Sequence, residues 1–170
     1  DHPQIGPVAA FPYNRNGKPY AAKFRAVERK DFRSSQGISR GLYNEDALRQ
    51  GQGPVVITEG EIDCLSVMQA GFERCVSVPD GWTAAGSKSD ALIACEAALR
   101  TSPYVIVAGD ADEAGDSLPR TVANILKGHD VRVVTWPEGC KDANDVLVKL
   151  GEGALCACLV AAKRIDPPGG

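Results

Sequence analysis

The sequence predicts an α/β fold: a mainly parallel sheet with helices on both faces, preceded by a small basic β-rich subdomain. Three observations carry this reading. After Gly51-Gln52-Gly53-Pro54, short apolar runs alternate with segments of helical periodicity. Before that junction, two strand-like runs flank an Asn-Gly pair. The 170 residues, 44% of them hydrophobic, suffice for one such domain with a small lobe and not for two full domains.

Residues 8–13 and 18–27 read as a hairpin around Asn14-Arg15-Asn16-Gly17, because Asn-Gly supplies the positive φ of a tight turn. Asp31-Phe32-Arg33 adds a short third strand, 37–41 a loop, and 42–50 a short helix or turn. Val55-Val56-Ile57-Thr58 is a buried strand ending at Glu59-Gly60. A helix over 61–70 follows, with Ile62, Leu65, Met68 and Phe72 expected as its core face and Gly71 as its stop. Residues 75–78 form the next strand, 87–100 a helix and 104–108 a third strand ending at Gly109-Asp110. Pro119 fits only a first helical turn, so the following helix starts near Asp116 or Ser117. A fourth strand covers 131–136, and helices cover 142–150 and 154–163. Pro167-Pro168-Gly169-Gly170 reads as a linker.

The net charge of −3 is unevenly spread. Residues 14–40 carry eight basic and two acidic side chains, a net +6, while the rest from Gly41 onward carries −8. A basic front on an acidic body is either a polyanion-facing segment beside a cation site or a solvated face. The six cysteines form no CxxC pair, and with two histidines they assemble no zinc site. They read as small buried hydrophobes in a reduced setting. No stretch is long and apolar enough for a membrane span, and the start, Asp1-His2-Pro3-Gln4, has no signal-peptide pattern. The start also lacks an initiator Met, so the chain reads as a piece of something longer.

In open α/β sheets, functional groups gather at the carboxyl ends of strands. Here those ends are acidic: Glu59 with Asp63 one turn on, then Asp110 and Asp112, then Asp142 and Asp145. Carboxylates gathered on one rim repel one another, and a hard divalent cation such as Mg²⁺ relieves that repulsion. Gly60 and Gly115 fit as small residues at sharp turns near phosphate. A Walker loop, a GxGxxG turn and a Ser–His–Asp set are absent. Trp82 is a loop anchor or a surface on which a base stacks.

Glu59-Gly60-Glu61-Ile62-Asp63, Asp110-Ala111-Asp112-Glu113-Ala114-Gly115 and Lys141-Asp142-Ala143-Asn144-Asp145 together resemble the motifs of a TOPRIM domain. The similarity is greatest to the primase half of phage-type, Twinkle-like primase-helicases, and more distant to DnaG-type primases. The hairpin with Lys30-Asp31-Phe32-Arg33 and Arg40-Gly41-Leu42-Tyr43 is similar to the small basic subdomain that precedes TOPRIM in those primases. The resemblance implies three parts: residues 1–52 as that subdomain, 53–151 as TOPRIM, and 152–170 as a C-terminal helix leading into a linker.

The resemblance also implies the roles. Glu59, Asp110 and Asp112 would be catalytic. Glu59, Asp63, Asp110, Asp112 and Asp142 would hold Mg²⁺, with Mn²⁺ able to substitute and no zinc in this piece. Lys23, Arg25, Lys30, Arg33 and Arg40 would contact template or nucleotide phosphates. The activity implied is synthesis of short RNA primers on single-stranded DNA from ribonucleoside triphosphates. A fused or partner helicase is expected, as is a phage or prophage origin with action in the host cytoplasm and no membrane partner. Asn144 stands where DnaG-type primases carry a second carboxylate, which favours the primase-helicase branch. Asp116 and Pro119 depart from the more basic, proline-free helix start usual there. The rival readings are a TOPRIM metal-dependent nuclease and a non-catalytic TOPRIM nucleic-acid-binding module.

Overall fold

A computed structural model describes residues 1–38, 41–79, 89–112 and 117–165. Arg40, Trp82, Gly115, Asp116 and the Pro-Gly tail lie outside the described residues.

Strands β1 (Val8–Arg15) and β2 (Lys18–Ala26) form the expected hairpin, and β3 (Phe32–Ser34) pairs antiparallel with β2. Asn16 and Gly17 both have positive φ, at 54° and 73°, as the two-residue turn requires. Asp46 accepts the backbone N–H groups of both turn residues, at 2.8 and 2.7 Å. A 3-10 helix over Glu45–Arg49 therefore clamps the hairpin tip, helped by the Arg15–Glu45 ion pair.

The second sheet has five strands in the order β5-β4-β6-β7-β8, with β4 (Val55–Thr58), β5 (Cys75–Ser77), β6 (Val105–Ala108), β7 (Val131–Val133) and β8 (Lys163–Arg164). β4 to β7 run parallel and β8 closes the edge antiparallel to β7. Every residue of β4 and β6 is buried. Alternate positions feed two cores, because a parallel sheet covered on both faces has no solvent side. Val55, Ile57, Val105 and Val107 pack with α2 (Ser89–Ala94), α3 (Glu96–Leu99) and α4 (Ser117–Ile125). Val56, Ile106 and Ala108 pack with α1 (Glu61–Gln69), α5 (Ala143–Leu150) and α6 (Glu152–Val160).

The structure corrects four local readings. The fully buried residues of α1 are Glu61, Cys64, Ser66 and Val67; of the expected face, Met68 and Phe72 pack part-buried against the core, whereas Leu65 is 42% exposed. The single helix expected over 87–100 is two short helices that break at Cys95. The fourth strand ends at Val133 rather than at Trp136. The last helix stops at Val160, and the chain then forms β8, a two-residue edge strand too polar and too short to show a period. Of the cysteines, Cys64, Cys75 and Cys95 are buried and the other three partly so, and all six thiols are free. Among the described residues, no helix is long and apolar enough to cross a membrane.

Candidate active site

The sheet order places the carboxyl ends of β4, β6 and β7 side by side. Thr58 and Ala108, the last residues of β4 and β6, are in register, so Glu59 and Asp110 emerge together. Glu59 Oε1 accepts the backbone N–H of Asp110 at 2.9 Å. Asp63 arrives from the first turn of α1. Its Oδ1 accepts the backbone N–H of Asn144 at 3.0 Å, and the Asn144 amide donates to Ser66 Oγ at 3.1 Å. Asp142 caps α5 by accepting the Asp145 N–H at 2.7 Å.

One carboxylate oxygen from each of Asp63, Asp110 and Asp142 lies within 4.8 Å of the others. Among the described residues, no lysine or arginine forms an ion pair with these three. Burial pushes Asp63 up to about 7 against the Asn144 hydrogen bond, with Asp142, Asp110 and Asp145 adding repulsion. Burial pushes Asp110 up to about 6, with Asp142 and Asp112 adding to it and the Lys141 charge opposing it. Glu59 rises to about 7, again first through burial, against the Asp110 hydrogen bond and reinforced by Asp110, Asp112 and Asp63. Oxygen donors from the first turn of α1, the loop after β6 and the cap of α5, with no sulfur or nitrogen among them, make a donor set suited to a hard divalent cation. Gly60 leaves room for the Asp63 carboxylate, since a Cβ there would lie 3.0 Å from Asp63 Oδ2.

Asp112 is exposed and outside the triad, although its charge raises both Glu59 and Asp110. Glu59 also stands outside the triad but is joined to it through the Asp110 amide.

The rim faces the small sheet across a cleft of about 590 Å³. Phe11, Lys23, Arg25, Lys30 and Phe32 line the sheet side, and Glu59, Asp63, Asp110 and Asp142, with the exposed Lys141 beside them, line the other. Arg25 and Lys30 are exposed at its mouth. Lys23 is buried, and its Nζ bonds Glu61 Oε2 at 3.1 Å. Arg33 sits opposite Phe24 and so points to the other face of the small sheet. Its guanidinium bonds Asp31, the Phe32 carbonyl and Gln4. The structure thus brings Arg25 and Lys30 to the open cleft, engages Lys23 inside the protein and turns Arg33 away.

Three residues have structural roles that the sequence pattern does not assign. Glu61 accepts from Tyr13 Oη at 2.6 Å as well as from Lys23, which ties α1 to the small sheet. Its signal was its place at the start of a helix, which reads equally as ordinary first-turn chemistry. Trp136 donates its indole N–H to the Gly109 carbonyl at 2.7 Å and so pins the loop that carries Asp110. Asn144 reads from sequence as a missing carboxylate; its backbone N–H and side-chain amide hold Asp63 and Ser66.

The family model described as Toprim-like matches residues 56–147, more than half of the chain. The chain is 31% identical over 172 residues to the Twinkle homolog protein, chloroplastic/mitochondrial, of Arabidopsis thaliana, covering 92% of this chain and 24% of that protein. It is 30% identical over 172 residues to the primase homolog protein of the same plant, covering 92% and 50%. The chain therefore spans half or less of the length of these curated relatives. Among solved structures, the primase fragment of the bacteriophage T7 primase-helicase superposes with a TM-score of 0.74 at 28% identity, covering 88% of this chain and 61% of that one. Sheet order, the three acidic strand ends and the match over residues 56–147 agree: the chain belongs to the Toprim-like family.

Proposed function

We propose that the chain is the catalytic core of a DNA primase. It would make short RNA primers from ribonucleoside triphosphates on a single-stranded DNA template. The observation that carries this reading is the two-sided cleft, with the Asp63, Asp110 and Asp142 carboxylates facing the exposed cations Arg25 and Lys30. One wall suits a cation and the other suits phosphate, and nucleotidyl transfer needs both.

Asp63, Asp110 and Asp142 would hold Mg²⁺, or Mn²⁺ in its place, with Asp112 at the exposed margin. Bound there, the metal supplies charge neutralisation at the reacting phosphate and acidifies the attacking hydroxyl. Glu59 Oε1 is committed to the Asp110 amide, which keeps the carboxylate fixed and leaves Oε2 to take a proton. Without a bound cation the Glu59 pKa is raised, first by burial, toward the range in which a carboxylate accepts a proton at neutral pH. Arg25 and Lys30 would draw in phosphates, and Lys23 would keep their strand in place through Glu61. On this reading residues 1–52 hold the template, 53–151 carry the chemistry, and 152–170 lead toward a fused or partner helicase in a phage-infected host cytoplasm.

The test is incubation with single-stranded DNA, labelled ribonucleotides and Mg²⁺, in this chain and in its full-length parent. RNA synthesis that is lost in Glu59→Gln while the Tm stays nearly unchanged is the expected result. DNA cleavage in place of synthesis would establish the nuclease reading. Binding without either reaction would establish a non-catalytic module.

A further inference from the structure

Among the described residues Phe32 is the one exposed phenylalanine, at 40%. It opens the edge strand β3, in register with Arg25, and both line the cleft that faces the carboxylate rim. Lys23 Nζ lies 5.2 Å from the ring centroid, and Glu61 holds that ammonium from the other lobe. The ring is thus steadied on one side by a buried ion pair and open to the cleft, an arrangement that core packing alone does not call for. Exposed cations beside a fixed aromatic plate are the two halves of a site for a nucleotide unit: phosphate on the charge, base on the ring.

We propose that Phe32 is a stacking platform for a nucleobase whose phosphates meet Arg25 and Lys30. The proposal rests on the nucleic-acid reading above and adds to it a residue that selects for the base. The base belongs either to the template strand or to a free ribonucleoside triphosphate, and the stacking chemistry is the same. Lys23 then acts as a positioning residue for the ring.

The experiment measures binding by fluorescence anisotropy with a labelled oligo-dT and with an abasic strand of equal length. In parallel, ATP and ribose 5-triphosphate compete for the protein in Mg²⁺. Phe32→Leu keeps apolar bulk but removes the π face. It should weaken base-containing ligand by about five- to a hundred-fold and leave the abasic partner unchanged. Phe32→Tyr should bind as the parent does, and Phe32→Trp more tightly. Loss confined to oligo-dT assigns the template base, and loss confined to ATP assigns the nucleotide base. Equal weakening of base-containing and abasic ligands, or no change in either arm, overturns the platform while leaving the nucleic-acid reading standing. An unsubstituted chain that binds neither strand nor nucleotide overturns that reading, and the platform with it.

Discussion

The Lys23–Glu61 junction and the Asp63–Asp110–Asp142 triad line one cleft, yet their charges are treated in opposite ways. Glu61 is buried and has both oxygens engaged, one by Tyr13 and one by Lys23. The triad is part-buried, without an ion-pair partner among the described residues, and two of its members are raised to about 6 and 7. A carboxylate balanced by the fold is architecture. Carboxylates left in repulsion are poised for a partner from outside. Gly60 separates Glu59 from Glu61, and the boundary between the two regimes falls across that single residue.

The largest effect should come from breaking the balanced site. Lys23→Met strands a buried carboxylate and should cost about 3–5 kcal/mol, read from the shift in urea midpoint. Replacing both partners, in Lys23→Met with Glu61→Leu, should recover most of that loss, because the charge left without a partner is the main penalty. Equal losses in the single and double variants would show that the pair is incidental to folding.

The triad should respond in the opposite direction. Asp110→Asn removes repulsion, so without divalent cation the Tm at pH 8 should hold or rise slightly. Mn²⁺ affinity in the same variant should fall by at least about tenfold, since even outer partners of a metal site have effects of that size. An unchanged Mn²⁺ titration would exclude Asp110 as a ligand.

Titration gives a further contrast. Glu59, Asp63 and Asp110 have folded-state values raised to about 7, 7 and 6, so between pH 4 and 7 the folded chain holds protons that the unfolded chain has released. Their contribution to stability is full below about pH 4 and is lost as pH rises through about 7. Asp31, Asp46, Asp130 and Asp145 are lowered by arginine, lysine or backbone partners, so their contribution is lost only as pH falls below the ordinary carboxylate range. In EDTA, Tm should therefore decline from pH 5 to pH 8. Mg²⁺ should flatten that decline, with the larger stabilisation at pH 8. A cation effect independent of pH would place the ion away from these carboxylates.

The parts of the molecule that were legible in sequence follow from local rules. Asn16-Gly17 set the hairpin, and buried runs bounded by glycine and acid set β4 and β6. The acidic strand ends could be read because the rule for open α/β sheets says where to look. The failures are non-local. Apolar spacing correctly places Met68 and Phe72 against the core but not Leu65, because Glu61 is drawn inward by Tyr13 and Lys23, each more than thirty residues away. That pairing rotates Cys64 and Val67 into the core and leaves Leu65 outside. Spacing alone does not separate Asp112 from Asp110. The register of β4 with β6, the first turn of α1 and the cap of α5 bring Asp63 and Asp142, both also named from the sequence, to Asp110. Lys23 and Arg33 carry the same charge sign as Arg25 and Lys30, and composition cannot tell a cation paired inside from one open to a ligand.

The smallest expected effect tests that last distinction. Arg25 and Lys30 are exposed at the cleft, whereas Arg33 is on the opposite face and bonded to Asp31 and Gln4. Each phosphate contact on a single strand contributes about 0.7 to the slope of log affinity against log salt. Changing Arg25 and Lys30 together to alanine should therefore reduce that slope by about 1.4, while Arg33→Ala should leave it where it was. Lys23→Gln should also leave the slope nearly unchanged, since its ammonium is already neutralised by Glu61. If Arg33→Ala lowers the slope as much as Arg25→Ala does, the strand runs over the outer face of the small sheet, and the cleft is not its path.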